Sequence, residues 1–258
     1  MDIGYVGASY VSDKLPLSSV GELPEAFTEA CQGTMAFWQI AKPGGALDEA
    51  EFAPNNVRVL LVMVLSPYQA FTSSAEITDL ASLQGLKMRT TGGAKEIATL
   101  KIGAVPVQIP APETRDALSR GTIDAVLFPH SSVLPYDLTP LLKYGTQGVN
   151  LGSFVVTYVI SQERWDALTP EVQAAMEQAG EEATKQGCEA AEKLDLADKQ
   201  TIADAGVTFV DLPTEDEEKL AELMGEVSNE WAAELDGRGK PGTEILNAFR
   251  EALTKVAD

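Results

Sequence analysis

The feature that most constrains this chain is an alternation of short apolar runs and helical stretches between residues 86 and 128. Leu86-Lys87-Met88-Arg89 reads as a strand, Gly92-Gly93 as the opening of a helix to about residue 102, and Gly103-Ala104-Val105-Pro106-Val107-Gln108-Ile109 as a second strand. Pro112-Glu113 starts another helix, with proline in the first turn where its missing N–H costs nothing. Gly121 ends that helix before a third strand over 122–128. Three strands alternating with two helices predict an α/β fold with right-handed crossovers. In such sheets ligands bind outside the carboxyl ends of the strands. Arg89 stands at one of those ends. The helix after Gly92 adds free backbone N–H groups and a positive dipole end. Together they predict a site for one carboxylate; the competing reading is a structural ion pair beside an ordinary turn.

Other aromatic residues fall at strand exits. Residues 2–6 read as a strand, with Tyr5 and Tyr10 flanking the loop after it, either lining a cleft or packing as half-buried tyrosines. The apolar run Val57-Arg58-Val59-Leu60-Leu61-Val62-Met63-Val64 predicts a strand covered on both faces, broken by Ser66-Pro67 so that Tyr68 stands at its exit. Phe128-Pro129-His130 ends the third strand of the alternation, where His130 either donates to a ligand oxygen or is merely exposed. Phe154, in the β-rich run 152–160, is a further candidate.

Helical patterns cover 25–40, 169–205 and 244–256, and the second is long enough to cross two lobes. Leu220, Leu223, Met224, Val227 and Trp231 recur at three- and four-residue spacing, as on the core face of a helix. Gly237-Arg238-Gly239-Lys240-Pro241-Gly242 matches a dinucleotide-binding spacing but follows a helix rather than a strand, so it predicts a connecting turn.

Composition narrows the function classes. The 258 residues carry a net charge of -20, with 15 acidic and 10 basic side chains before residue 161 (net -5) and 24 and 9 after it (net -15). Such a surface repels nucleic acid and anionic membrane. The longest apolar run is far too short to span a bilayer. Met1-Asp2-Ile3-Gly4 lacks the basic and apolar regions of a signal peptide, which predicts a cytosolic, a processed or a truncated chain. With Cys31, Cys188 and His130 alone, no protein-built zinc site is expected, and no cofactor motif is present. The two cysteines either pair in an oxidising compartment or stay free. No hydrolase motif marks a serine partner for His130.

The segments Leu83-x-Gly85-Leu86-Lys87-Met88-Arg89, Gly103-Ala104-Val105-Pro106-Val107, Pro112-Glu113 with Ala117-Leu118, Gly121 and Asp124 together resemble the solute-binding proteins of TRAP transporters, of the dicarboxylate-binding (DctP) type. Trp165-Asp166-Ala167-Leu168-Thr169-Pro170-Glu171-Val172-Gln173 fits the start of that family's long helix, and Met1 through Leu17 its third βα region. The resemblance implies a two-lobed periplasmic-binding-protein-like fold, with residues 1–66 and 154–196 in one lobe and 67–153 and 197–258 in the other. It implies a periplasmic, monomeric, non-enzymatic carrier that passes an organic acid to TRAP membrane subunits. Arg89 is then the residue that pairs with the solute's carboxylate, among Tyr5, Tyr10, Tyr68, Gly92, Phe128, His130 and Phe154. Three departures from the family stand out. A signal peptide and two leading βα units are not visible. Phe128 stands where a polar residue is common, and no second arginine lies near Tyr68. Ala125 follows Asp124 where glycine is usual. The second departure predicts a less charged solute, and one obvious cation among several aromatic residues favours a monocarboxylate of aromatic, keto or hydroxy type over a dicarboxylate. An organic-acid-sensing domain is the alternative, and an enzyme acting on an organic acid a more distant one.

Overall fold

One 35-residue helix ties together two β-sheets in the computed structural model, which describes residues 3–25 and 27–256. In chain order the strands are β1 (Ile3–Gly7), β2 (Val57–Val64), β3 (Gln69–Thr72), β4 (Lys87–Thr90), β5 (Val105–Gln108), β6 (Ala125–Phe128), β7 (Tyr144–Thr146), β8 (Val155–Ser161) and β9 (Thr208–Val210). The α-helices are α1 (Ala30–Ala41), α2 (Ala94–Lys101), α3 (Thr114–Ser119), α4 (His130–Val133), α5 (Gln162–Asp166), α6 (Pro170–Asp204), α7 (Thr214–Gly237) and α8 (Gly242–Val256).

The first sheet has the order β1-β8-β2, with both outer strands antiparallel to β8. Its β2 is the β-branched run that favours a pleated, packed surface, and α1 and α6 both pack against it. The second sheet has the order β5-β4-β6-β3-β7-β9. Within it β4 pairs in parallel with β5 and β6, the arrangement expected from the alternation. The sheet is nevertheless mixed, because β3 runs antiparallel to β6 and β7. The predicted strands over 86–89 and 122–128 become Lys87–Thr90 and Ala125–Phe128. The helix expected from residue 25 begins at Ala30. Its expected first turn is drawn elsewhere: Arg250 grips Glu25 through two bonds of 2.9 and 2.8 Å, and the Asn150 amide donates to the carbonyls of Glu25 and Phe27. Asp2 and Ala26, counted in those predicted elements, lie outside the described residues.

The long helix α6 touches both sheets along its length. Gly180 passes so close to β2 that a Cβ there would lie 2.0 Å from the Leu60 carbonyl oxygen, which explains a glycine in mid-helix. One turn on, the Thr184 hydroxyl accepts from Val62 N–H at 3.3 Å, and Cys188 forms a disulfide with Cys31 of α1. Further along, Asp195 engages His130 and Ser131 of α4, and Ile202 enters the core of the second sheet with Phe71, Val126 and Val133. The α7 stripe of Leu220, Met224, Val227 and Trp231 is buried as expected, and Gly237–Gly242 is the turn between α7 and α8. In turn α8 packs on α1.

A short 3-10 helix, Leu17–Glu22, leads into the region between the sheets. Buried Glu51 holds its start, accepting from Leu17 N–H (2.6 Å), Ser18 N–H (2.7 Å) and the Ser18 hydroxyl (2.8 Å). Burial outweighs these bonds and raises the Glu51 carboxyl from 4.5 to about 7. A folded-state pKa above the unfolded one gives stability that is complete below about pH 4.5 and lost as pH rises through about 7. The loss is on the order of 3 kcal/mol. Urea unfolding from pH 5 to 8 should show this decline in the wild type and a flatter profile in Glu51→Gln. Parallel profiles would contradict the assignment.

Candidate functional site

Lys87 and Arg89 share one face of β4, but Lys87 opens the strand and is exposed, whereas Arg89 sits deeper, 0% exposed between Val107 of β5 and Val126 of β6. Its Nε donates to the Ile109 carbonyl at 2.9 Å and its Nη1 to the Leu127 carbonyl at 3.4 Å. Both acceptors are backbone groups from the flanking strands or the chain just past them. They orient the guanidinium without neutralising it. The guanidinium carbon lies 4.3 Å from the centre of the Phe128 ring, a cation–π contact. Among the described residues no carboxylate pairs with Arg89, and its buried Nη2 has no hydrogen-bond partner. Desolvation lowers the Arg89 pKa, opposed by Tyr68, Tyr10 and Tyr136 around it. A guanidinium fixed in this way presents unpaired N–H donors in a fork that matches a carboxylate.

Aromatic rings enclose this cation. Tyr68 and Phe128 are 6.2 Å apart, Tyr10 and Phe154 5.3 Å apart, and Tyr136 stacks on Phe128 at 5.7 Å. Tyr68 is buried, and desolvation pushes its hydroxyl pKa further up, keeping it neutral. Half of the Tyr10 ring remains exposed. Tyr5 is more exposed still, set edge-on to Tyr158 across β1 and β8. Burial and the proximity of Tyr10 and Tyr136 raise its pKa, which puts it at the rim of the same cluster.

A second cation shares the aromatic wall. Lys95, in the first turn of α2, lies 5.7 Å over both Tyr68 and Phe154 and is fully buried. Its ammonium donates to Glu22 Oε2 (2.7 Å), the Ser153 carbonyl (2.8 Å) and the Ser9 hydroxyl (3.3 Å). Glu22, also fully buried, accepts from Ser9 and, through Oε1, from Val155 N–H at 3.2 Å. Desolvation lowers the Lys95 pKa and Glu22 opposes it. The pair is a neutral unit, so the cluster holds one uncompensated positive charge, on Arg89. In this arrangement Arg89 is closed off from solvent.

Arg89, Tyr10, Tyr68, Phe128 and Phe154 thus come together, with Tyr5 at the rim. Gly92 lies in the turn from β4 to α2, where its φ of +86° is one that side chains resist. Its N–H donates to the Thr90 hydroxyl at 3.2 Å, and a Cβ would lie 2.9 Å from Gln108 Nε2. His130 is engaged elsewhere: its Nδ1 meets Asp195 Oδ2 at 2.9 Å, and its ring sits edge-on to Phe71 and Phe209. It lines a separate cavity of about 360 Å³ with Asp195, Lys199, Gln69, Asn150 and Phe27. Among the described residues no three His, Cys, Asp or Glu side chains converge as a metal site.

Sequence reasoning missed Lys95, Glu22, Ser9 and Tyr136. One signal was available for Lys95: a lysine in the first turn of a helix opposes the dipole, so it needs a non-local reason to be there.

Residues 1–235 match the family model described as bacterial extracellular solute-binding protein, family 7. The C4-dicarboxylate-binding periplasmic protein of Rhodobacter capsulatus is 25% identical over 190 residues, 73% of this chain and 55% of that one. The 2,3-diketo-L-gulonate-binding periplasmic protein of Escherichia coli K12 is 32% identical over 190 residues, 72% of this chain and 51% of that one. The chain thus spans about half the length of these curated relatives. A TRAP solute-binding protein from Rhodoferax ferrireducens, solved with copurified benzoate, superposes with a TM-score of 0.88 at 25% identity, over 100% of this chain and 80% of that one. Its likeness places the present fold among the two-lobed TRAP periplasmic binding proteins.

Because the Gly92 conformation orients both Arg89 and the helix bearing Lys95, Gly92→Ala should lower stability by about 1–2 kcal/mol in chemical denaturation. An unchanged midpoint would show that the turn relaxes freely.

Proposed function

The chain belongs to family 7 of the bacterial extracellular solute-binding proteins, and on that premise we propose that it captures a small organic acid with one carboxylate between two lobes and delivers it to TRAP membrane subunits. The observation that carries this reading is the buried Arg89 fork, with an unpaired Nη2 and no internal acid. An uncompensated buried charge is costly, and a carboxylate in reach of the fork removes that cost. Tyr10, Tyr68, Phe128 and Phe154 supply flat apolar faces for the body of the solute.

One net charge in the cluster favours a monocarboxylate of aromatic, keto or hydroxy type. The Rhodoferax relative's benzoate and the diketo-gulonate for which the Escherichia relative is named each carry one carboxylate. The Rhodobacter relative is named for C4-dicarboxylates, the class a single free cation serves less well. Gly92 belongs to the site as the turn that aims Arg89, and His130 as part of the second lobe's connection to α6.

The lobes in this reading are residues 1–66 with 154–196, and 67–153 with 197–258. Strand membership in the two sheets supports that division, while the packing of α8 on α1 attaches the C-terminal helix to the first lobe. The protein acts as a periplasmic monomer and turns nothing over. The Cys31–Cys188 disulfide supports an oxidising compartment. No helix among the described residues is long and apolar enough to cross a membrane.

Removing one partner of a buried charged pair costs about 2–5 kcal/mol, on the order of thirty- to several-thousand-fold in affinity. Calorimetry with a bound organic acid should show a loss of this size in Arg89→Ala. Arg89→Lys should lose most of it too, because an ammonium cannot reproduce the fork. Unchanged affinity in both variants removes Arg89 from the site.

A further inference from the structure

The carboxylate reading gives no role to Lys95 and Glu22, which are among the most deeply buried charges in the molecule. A buried ion pair is an expensive way to gain stability, since well-packed apolar residues often do as well. Here it also sits against the ligand wall, over the Tyr68 and Phe154 rings. Left alone, a lysine in that place would be a second anchor for an anion. Yet all three of its N–H donors are committed, to Glu22, to the Ser153 carbonyl and to Ser9. Glu22 is held in turn by Ser9 and the Val155 N–H, so it cannot swing aside without leaving donors unpaired.

We propose that Glu22 is a specificity-determining residue: by neutralising and saturating Lys95, it restricts the site to solutes with a single carboxylate. The proposal rests on the Arg89 reading above. A dianion bound through Arg89 meets two alternatives. Its second carboxylate stays unpaired in an apolar wall, or it displaces Glu22 from Lys95 and leaves that carboxylate unpaired instead. Either way one negative charge is buried without a partner, which is the repulsive half of a specificity device. The acceptors around Lys95 come from separate parts of the chain, Ser9 and Glu22 before β2 and Ser153 just before β8. The selectivity is therefore built where the two sheets approach one another, and not on the strand that carries Arg89.

The test is calorimetry on the full, disulfide-intact chain with matched pairs sharing one skeleton: benzoate and isophthalate, phenylacetate and phenylmalonate, butyrate and succinate. The wild type should bind at least one monocarboxylate, with its matched dicarboxylate about a hundredfold weaker or more. Glu22→Gln should raise affinity for that dicarboxylate about tenfold or more, and change the monocarboxylate less. Adding Lys95→Met to Glu22→Gln should abolish the gain, which a merely structural role for Glu22 would not do. A wild type that binds any dicarboxylate as tightly as its matched monocarboxylate overturns the proposal, whether or not Glu22→Gln folds. A folded Glu22→Gln with unchanged preference overturns it as well. A wild type that binds no monocarboxylate, or one indifferent to Arg89→Ala, sinks the carboxylate reading and this proposal with it, whereas the two preceding results sink only this one.

Discussion

A guanidinium held away from water with no acid beside it is the interaction on which the rest of this structure depends. Arg89 is kept in place by two backbone carbonyls, one aromatic ring and the nearby Tyr10 side chain, and no acid is among them. Structural arginines in protein interiors are normally paired. Leaving this one unpaired costs stability, and the fold meets that cost from several directions at once. The parallel arrangement of β4, β5 and β6 puts strand-exit carbonyls on both sides of the side chain, and the apolar faces of Tyr68 and Phe128 exclude competing water. The surface of the protein is strongly acidic, but screening limits exposed charges to about 8 Å at physiological salt, so in the proposed reading the local cation outweighs it.

The second constraint is that a cleft between two sheets needs elements that belong to both. Two features supply them, and a disulfide fixes the first. The long helix α6 passes from Leu60 and Val62 in the first sheet to His130 and the Ile202 core of the second. The Cys31–Cys188 bond pins its middle to α1. The Lys95–Glu22–Ser9 cluster ties the first turn of α2 to the segment Glu51 anchors and to the chain entering β8. His130 and Asp195 therefore belong to the framework that joins the sheets, and the aromatic cluster to the surroundings of Arg89. On the proposed reading, the helix supplies the connection between the sheets and the sheet-to-sheet contact supplies charge selection.

How much of this was legible in the sequence follows from the range of the interactions. The β4–α2–β5–α3–β6 alternation, the buried run of β2, the length of α6 and the core stripe of α7 are local periodicities, and the sequence carries them openly. Arg89 was readable for the same reason, as a charge at the end of an apolar strand before a glycine pair. The strands β3 and β7 were not, because four residues beginning Gln69-Ala70 and three centred on Gly145 are extended by pairing with each other and not by their own propensity. The Glu22–Lys95 pair spans 73 residues and Cys31–Cys188 spans 157, separations at which sequence alone offers no geometry. Tyr136 lies in an unremarkable turn and becomes part of the site only by stacking on Phe128. The expectation of one obvious cation was incomplete in its residues, since two are buried, though the compensated charge of Lys95 leaves one free.

On this reading a single uncompensated positive charge governs recognition. It is tested most directly by comparing, in calorimetric titrations of the wild-type chain, a carboxylate that binds with its primary amide, a neutral group of nearly the same shape. The amide should bind at least about thirty-fold more weakly, the lower end for leaving a buried charge unpaired. Amide and acid binding within about threefold of one another would mean that shape and apolar contact, and not the Arg89 charge, hold the solute.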